Sequence, residues 1–212
     1  MWKIDPNWRT KLVREIRRKT IHLTGLSVPV GILIFGKIYT AAMIAVALVI
    51  ALALEAGRLK GKIRLPEVRD QEQDKVAGYI YYIIGSLITV AVFQPMIAVT
   101  AMLMLSLGDA VSGLVGSVLE RSNVRECNER WRVKPFPIVS AMFLACLAIG
   151  YLSSSAITSL PFEVYLAGAI GATVADSIAL VFWNRGLDDN LTIPLFSGSM
   201  MSVALLGSGK VF

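Results

Sequence analysis

Two aspartates, Asp109 and Asp176, stand inside otherwise apolar stretches of the chain. An ionisable group within a membrane-crossing helix costs about 2.5–3.5 kcal/mol on insertion scales, so it normally faces a polar cavity or a partner. Small residues surround Asp109: Gly108, Gly113 and Gly116, with Ser106, Ser112 and Ser117. Such residues let a neighbouring helix or a ligand approach closely. The densest polar run beside an apolar segment is Arg185-Gly186-Leu187-Asp188-Asp189-Asn190-Leu191-Thr192-Ile193-Pro194. Asp188, Asp189 and Asn190 offer hard oxygen donors, which suit Mg2+ shared with a substrate phosphate. The same residues also suit the start of a helix, with Pro194 expected in its first turn. The only histidine, His22, follows Arg18-Lys19, and Lys134 follows Trp131-Arg132. Glu55, beside Arg58, reads as a neutralised helix-end carboxylate. Acidic groups inside a basic rim are the parts that phosphoryl transfer uses. No Gly-x4-Gly-Lys loop or protein-kinase signature accompanies them.

The elements that must position these residues follow from composition. Of the 212 residues, 55% are apolar and 17% charged, with a mean hydropathy of +0.64. A single soluble core of this length could not hide so much apolar surface, which argues against a soluble enzyme or a disordered chain. Seven apolar segments, approximately 20–36, 38–56, 76–93, 96–119, 136–155, 162–183 and 192–208, are each about long enough to cross a ~30 Å hydrocarbon core. No ten-residue alternating strand pattern is present, so the expected fold is all-α: a polytopic membrane bundle of about seven transmembrane helices. Residues 1–19 form an arm, and its stretch 7–19, with Trp8, Leu12 and Ile16 at helical spacing, predicts an amphipathic interfacial helix. Residues 20–212 form one transmembrane catalytic domain.

Of the 21 Lys and Arg residues, 19 lie in the arm and in the second, fourth and sixth connections, leaving Lys37 and Lys210 for the other side. That asymmetry predicts a cytoplasmic N-terminus and chemistry on the cytoplasmic face. The net charge of +6 is accounted for by these topology signals and does not point to nucleic acid. Cys127 and Cys146 read as free thiols. The arm is too charged to be a cleavable signal. A short echo links Gly108-Asp109-Ala110-Val111-Ser112-Gly113-Leu114-Val115 to Ala175-Asp176-Ser177-Ile178-Ala179-Leu180-Val181, and puts the two aspartates at similar depth in spans expected to run the same way.

Four stretches resemble the membrane polyprenol kinases, the CTP-dependent dolichol kinase and phytol kinase family. They are Arg18-Lys19-Thr20-Ile21-His22-Leu23-Thr24-Gly25, then Leu107-Gly108-Asp109-Ala110 through Gly113 and Gly116, then Lys134 followed by Ser140, and Leu187-Asp188-Asp189-Asn190-Leu191-Thr192-Ile193-Pro194. Their order and spacing cover roughly residues 14–206. One departure is clear: where relatives carry Glu-Gly after the lysine, this chain has Pro135-Phe136-Pro137-Ile138-Val139. The resemblance implies transfer of the γ-phosphate of CTP, with Mg2+, to the hydroxyl of a long isoprenoid alcohol. It implies Asp109, Asp188 and Asp189 as metal ligands. Gly108, Gly113, Gly116, Arg132, Lys134, Arg185 and Asn190 would bind nucleotide and phosphate. Asp176 would position or deprotonate the lipid hydroxyl, and His22 and Lys19 would meet the lipid head group.

Competing readings are a CTP-dependent diacylglycerol kinase, a CDP-lipid-forming cytidylyltransferase, an intramembrane aspartyl protease built on Asp109 and Asp176, and a transporter with a carboxylate relay. The residues leave the oligomeric state open, a homodimer included.

Overall fold

The structure is a computed structural model that describes residues 4–63, 75–119, 133–178, 181–182 and 185–209, with the backbone alone at 21, 22, 181, 182, 185 and 186. Helices dominate it. Helix α1 (Trp8–His22) leads through a 3-10 turn (Leu23–Leu26) into the short α2 (Ser27–Phe35), and Gly36 turns the chain into α3 (Lys37–Leu59). Next come α4 (Gly78–Val92) and α5 (Pro95–Leu103), which continues through a π turn (Met104–Gly108) into α6 (Asp109–Val118). Helix α7 (Phe136–Ser153) ends in a second π turn (Ser154–Thr158) before α8 (Phe162–Ser177). A two-residue antiparallel pair, β1 (Val181–Phe182) with β2 (Arg185–Gly186), joins α8 to α9 (Asp189–Gly207).

Among the described residues, four helical stretches are long and apolar enough to cross a membrane: Lys37–Leu59, Pro95–Val118, Phe136–Thr158 and Asp189–Gly207. The other expected spans are shorter. The 3-10 turn divides segment 20–36, leaving α2 with 9 residues, about 14 Å at 1.5 Å per residue. Helix α4 has 15 residues, and α8 stops after 16 at Ser177, with Ile178 in an isolated bridge and Val181–Phe182 in a short strand.

The stretch Pro95–Val118 is the axis of the molecule. It supplies Ala98, Val99, Ala101, Met102, Met104 and Leu105, all completely buried. Around it lie Met142 and Cys146 of α7, Val164, Ala169, Ala172 and Ala175 of α8, and Ile193 and Met201 of α9. Small residues on α8 let α9 lie against it. A Cβ on Gly168 would come within 2.7 Å of Met201, and one on Gly171 within 2.7 Å of the Phe196 carbonyl.

Helix α3 sits at the edge and exposes Ile38, Tyr39, Met43, Val46, Val49 and Ile50. So large an apolar outer surface is compatible with a lipid surround and would be a liability in water. On helix α1 Val13 and Ile16 are exposed, while Lys19 turns inward and is buried. At the other end of α3, Glu55 stitches the helix to α4. It accepts from Arg58 Nε (2.8 Å) and Nη2 (2.7 Å), from the Ala77 N–H (2.8 Å) and from the Tyr79 hydroxyl (2.7 Å).

Candidate active site

Asp109 and Asp176 each hold a lysine brought from far along the chain. Asp109, the first residue of α6, accepts from Lys19 Nζ at 2.5 Å. Glu15 stands one turn before Lys19 on α1, 3.8 Å from the same ammonium. This close approach of α1 depends on Gly113, where a Cβ would lie 2.3 Å from a Glu15 carboxylate oxygen and 2.7 Å from Lys19 Cε. Asp176, near the end of α8, accepts from Lys134 Nζ (2.7 Å) on one oxygen and from Ser112 Oγ (2.7 Å) on the other. Ser112 lies one turn after Asp109, so a single face of α6 serves both pairs. The Lys134 backbone N–H also donates to the Ser177 carbonyl at 2.9 Å, which pins the chain ahead of α7 to the end of α8.

Charge and burial oppose each other at Lys134. Burial alone would push its pKa down, but Asp176, Asp189 and Asp109 outweigh it and hold the ammonium above its ordinary 10.5. Lys134 is therefore a fixed cation facing three acids.

The run 187–194 begins α9. Asp188 is its N-cap: the carboxylate accepts from the Asn190 N–H at 2.9 Å. Asn190 Nδ2 donates to the Gly78 carbonyl at the start of α4 (3.3 Å). Because the helix starts at Asp189, Pro194 lies inside it, in the second turn and not the first. Pro194 has no N–H to give the Asn190 carbonyl four residues back. That carbonyl faces α4, where a Cβ on Gly85 would sit 2.5 Å from it.

The expected site residues thus divide. Lys19, Asp109, Lys134, Asp176 and Asp189 converge, with Asp188 and Asn190 adjoining them at the start of α9. Gly108 packs on α7, where a Cβ would be 2.7 Å from Cys146 Sγ, and Gly113 admits α1; each glycine serves a neighbouring helix. Gly116 is buried and its carbonyl accepts from Leu119 N at 3.3 Å. His22 ends α1 and Arg185 opens β2, but their side chains, like all of Arg132 and Cys127, lie outside the described residues.

Among the described residues no group of three or more His, Cys, Asp or Glu side chains is arranged to hold a metal ion, so Asp109, Asp188 and Asp189 are not gathered as a triad. Asp109 turns to Lys19 and Asp188 caps its own helix, which accounts for their separation. Mg2+ ordinarily needs only one or two carboxylates plus water and phosphate oxygens, and the donors at the start of α9 meet that requirement.

Three contributors carry no site role in the sequence pattern: Ser112 reads there only as a small residue, Glu15 as part of a basic arm, and Ser177 only as part of the echo around Asp176. The signals available were the three-residue spacing of Ser112 from Asp109 and the four-residue spacing of Glu15 from Lys19.

Most of these groups lie at helix ends that Lys- and Arg-rich stretches flank in the sequence, with Asp109 and Ser112 set further in along Pro95–Val118. Lys19, the end of α6, the start of α7, the end of α8 and the starts of α9 and α4 meet at one end of the bundle. Compared with models of known protein families, with curated proteins and with solved structures, the chain gives no match.

Proposed function

We propose that the chain is an integral membrane lipid kinase that transfers the γ-phosphate of CTP to the hydroxyl of a polyisoprenoid alcohol. One observation carries this reading: the four stretches that resemble the polyprenol kinases, remote in sequence, supply residues that touch or adjoin one another. Lys19 of the first meets Asp109 of the second; Lys134 of the third is held by Asp176, which Ser112 steadies; and the fourth caps α9 beside them. Cations, carboxylates and a helix N-terminus within one site are what binding and transferring a phosphoryl group requires.

In this reading Asp188 and Asp189 hold Mg2+, which, when bound, neutralises charge on the triphosphate. Lys134 and Lys19 are the cations that meet phosphate oxygens, with Arg132 and Arg185 expected near them. Asp109 and Asp176 keep the two ammonium groups inside the bundle before nucleotide arrives. Both oxygens of Asp176 are occupied, so its part is to position Lys134; acting as a base would require it to release one of its partners. The bundle crosses the membrane seven times with the N-terminus and the site on the cytoplasmic side, and the lipid enters laterally between helices. The supporting feature is the 19-to-2 division of Lys and Arg.

The aspartyl protease reading fits less well, because it needs two carboxylates sharing a proton and each of these holds a lysine. The deciding experiment supplies purified protein with Mg2+, CTP labelled in the γ-phosphate and a panel of polyprenols. Labelled lipid phosphate is the expected product. Label retained only in released pyrophosphate would identify a cytidylyltransferase instead.

A further inference from the structure

Two buried polar atoms where α8 ends and α9 begins have no hydrogen-bond partner among the described residues: Ser177 Oγ and Asn190 Oδ1. Their residues are only 4% and 5% exposed. Buried polar groups are ordinarily paired, and those that are not require an explanation. The Asn190 amide is oriented by its own contact. Its Nδ2 reaches the Gly78 carbonyl, which can only accept, so Oδ1 is the free end. An amide oxygen also only accepts. Ionised phosphate oxygens, being acceptors too, cannot satisfy it. The missing partner is a donor.

Ser177 follows Asp176, which holds Lys134, and its own carbonyl accepts from the Lys134 backbone. Asn190 follows Asp189, whose charge also acts on Lys134. Both unpaired atoms therefore belong to residues adjoining the groups around this lysine. Helices α8 and α9 pack antiparallel, Gly168 against Met201 and Gly171 against Phe196, which sets Ser177 level with the first turn of α9 that carries Asn190. Along the same two helices Ala172, Ala175 and Ile193 are fully buried, so the surroundings are apolar. A ligand group that donates to one atom, accepts from the other and arrives on hydrocarbon is an alcohol hydroxyl.

We propose that Ser177 and Asn190 seat the hydroxyl of the acceptor alcohol, which donates to Asn190 Oδ1 and accepts from Ser177 Oγ. This rests on the lipid-kinase reading and moves Asn190 from the nucleotide to the acceptor.

The test uses the full chain in detergent, as wild type, Ser177→Ala and Asn190→Ala. Thermal unfolding is followed with a polyprenol and with its methyl ether, and KM is measured separately for the alcohol and for CTP with Mg2+. Wild type is expected to be stabilised more by the alcohol than by the ether, which cannot donate. Ser177→Ala removes an unpaired hydroxyl, so its Tm without ligand should be unchanged or higher. Its alcohol KM should rise about tenfold, as should that of Asn190→Ala, while the KM for CTP stays within about twofold. These magnitudes correspond to one lost hydrogen bond to ligand, for which each 1.4 kcal/mol is tenfold.

A fall in the Tm of Ser177→Ala, a rise in the CTP KM instead of the alcohol KM, or equal stabilisation of wild type by alcohol and ether would overturn the seat. Transfer of phosphate without the alcohol preference would overturn the seat alone. An alcohol preference lost in Ser177→Ala, with no phosphate transfer in wild type, would overturn the kinase reading and support the seat.

Discussion

Lys19 and Asp109 are each buried, so neither charge has water to fall back on. Removing one member of such a pair leaves the other uncompensated, at a cost of about 3–5 kcal/mol, whereas replacing both with apolar residues is often close to neutral. Lys19→Met alone is therefore expected to lower the unfolding midpoint sharply, and Lys19→Met with Asp109→Leu to recover most of the loss; denaturation in detergent measures both. If the single variant is as stable as wild type, the pair is not a structural contact. Lys134 makes a prediction about pH. Its pKa is raised above 10.5 in the folded chain, so the stability it contributes is fully present below 10.5 and is lost only as pH rises through the higher folded value. Unfolding scans of wild type should show no Lys134-dependent loss between pH 7 and about 10 relative to Lys134→Met, with convergence of the two only at higher pH.

The two aspartates were legible in the sequence because a carboxylate in an apolar run has few tolerable environments. Their lysine partners were not, since they lie 90 and 42 positions away and no local pattern encodes such a contact.

At the scale of elements, close approach to α9 sets the geometry. Gly85 and Gly171 face backbone carbonyls of α9 at 2.5 and 2.7 Å from where a Cβ would stand, and backbone cannot swing aside. Gly57 faces only the flexible end of Ile63, at 2.8 Å. Gly85→Ala and Gly171→Ala should each cost about 1–3 kcal/mol of stability by overpacking, and Gly57→Ala markedly less, as read from unfolding midpoints. Equal losses at all three positions would show that α9 does not lie where described. Helix existence was readable from apolar run length, and all seven segments contain helix. Their ends were not. The 3-10 turn at Leu23–Leu26 and the stop of α8 at Ser177 interrupt segments that hydropathy alone joins. The start of α9 moved three residues earlier than segment 192–208 suggests, because Asp188 supplies a cap that an apolar pattern does not register.

For the whole molecule, the site draws on helix ends that Lys- and Arg-rich stretches flank in the sequence, so the proposed orientation and function are tied together. Lys37 begins α3 at the sparsely charged end and Lys60 follows α3 at the basic end. In sealed vesicles of known orientation, a membrane-impermeant thiol reagent should label Lys37→Cys, made in a cysteine-free background, only from outside, and Lys60→Cys only from the cytoplasmic side. The reverse pattern would invert the proposed topology. Composition pointed to a helical membrane bundle, with which four long apolar helices are compatible, and the placement of charge pointed to one face; the contacts between distant stretches needed three dimensions. The most direct measurement is transfer of label from γ-labelled CTP to a polyprenol, with Mg2+, by wild type and by Asp109→Asn, each confirmed folded by its thermal transition. Labelled lipid phosphate is expected from wild type, with a loss of at least about a hundredfold, or roughly 2.7 kcal/mol of transition-state stabilisation, in the variant. No labelled lipid with any alcohol, or undiminished transfer by Asp109→Asn, would contradict the proposal.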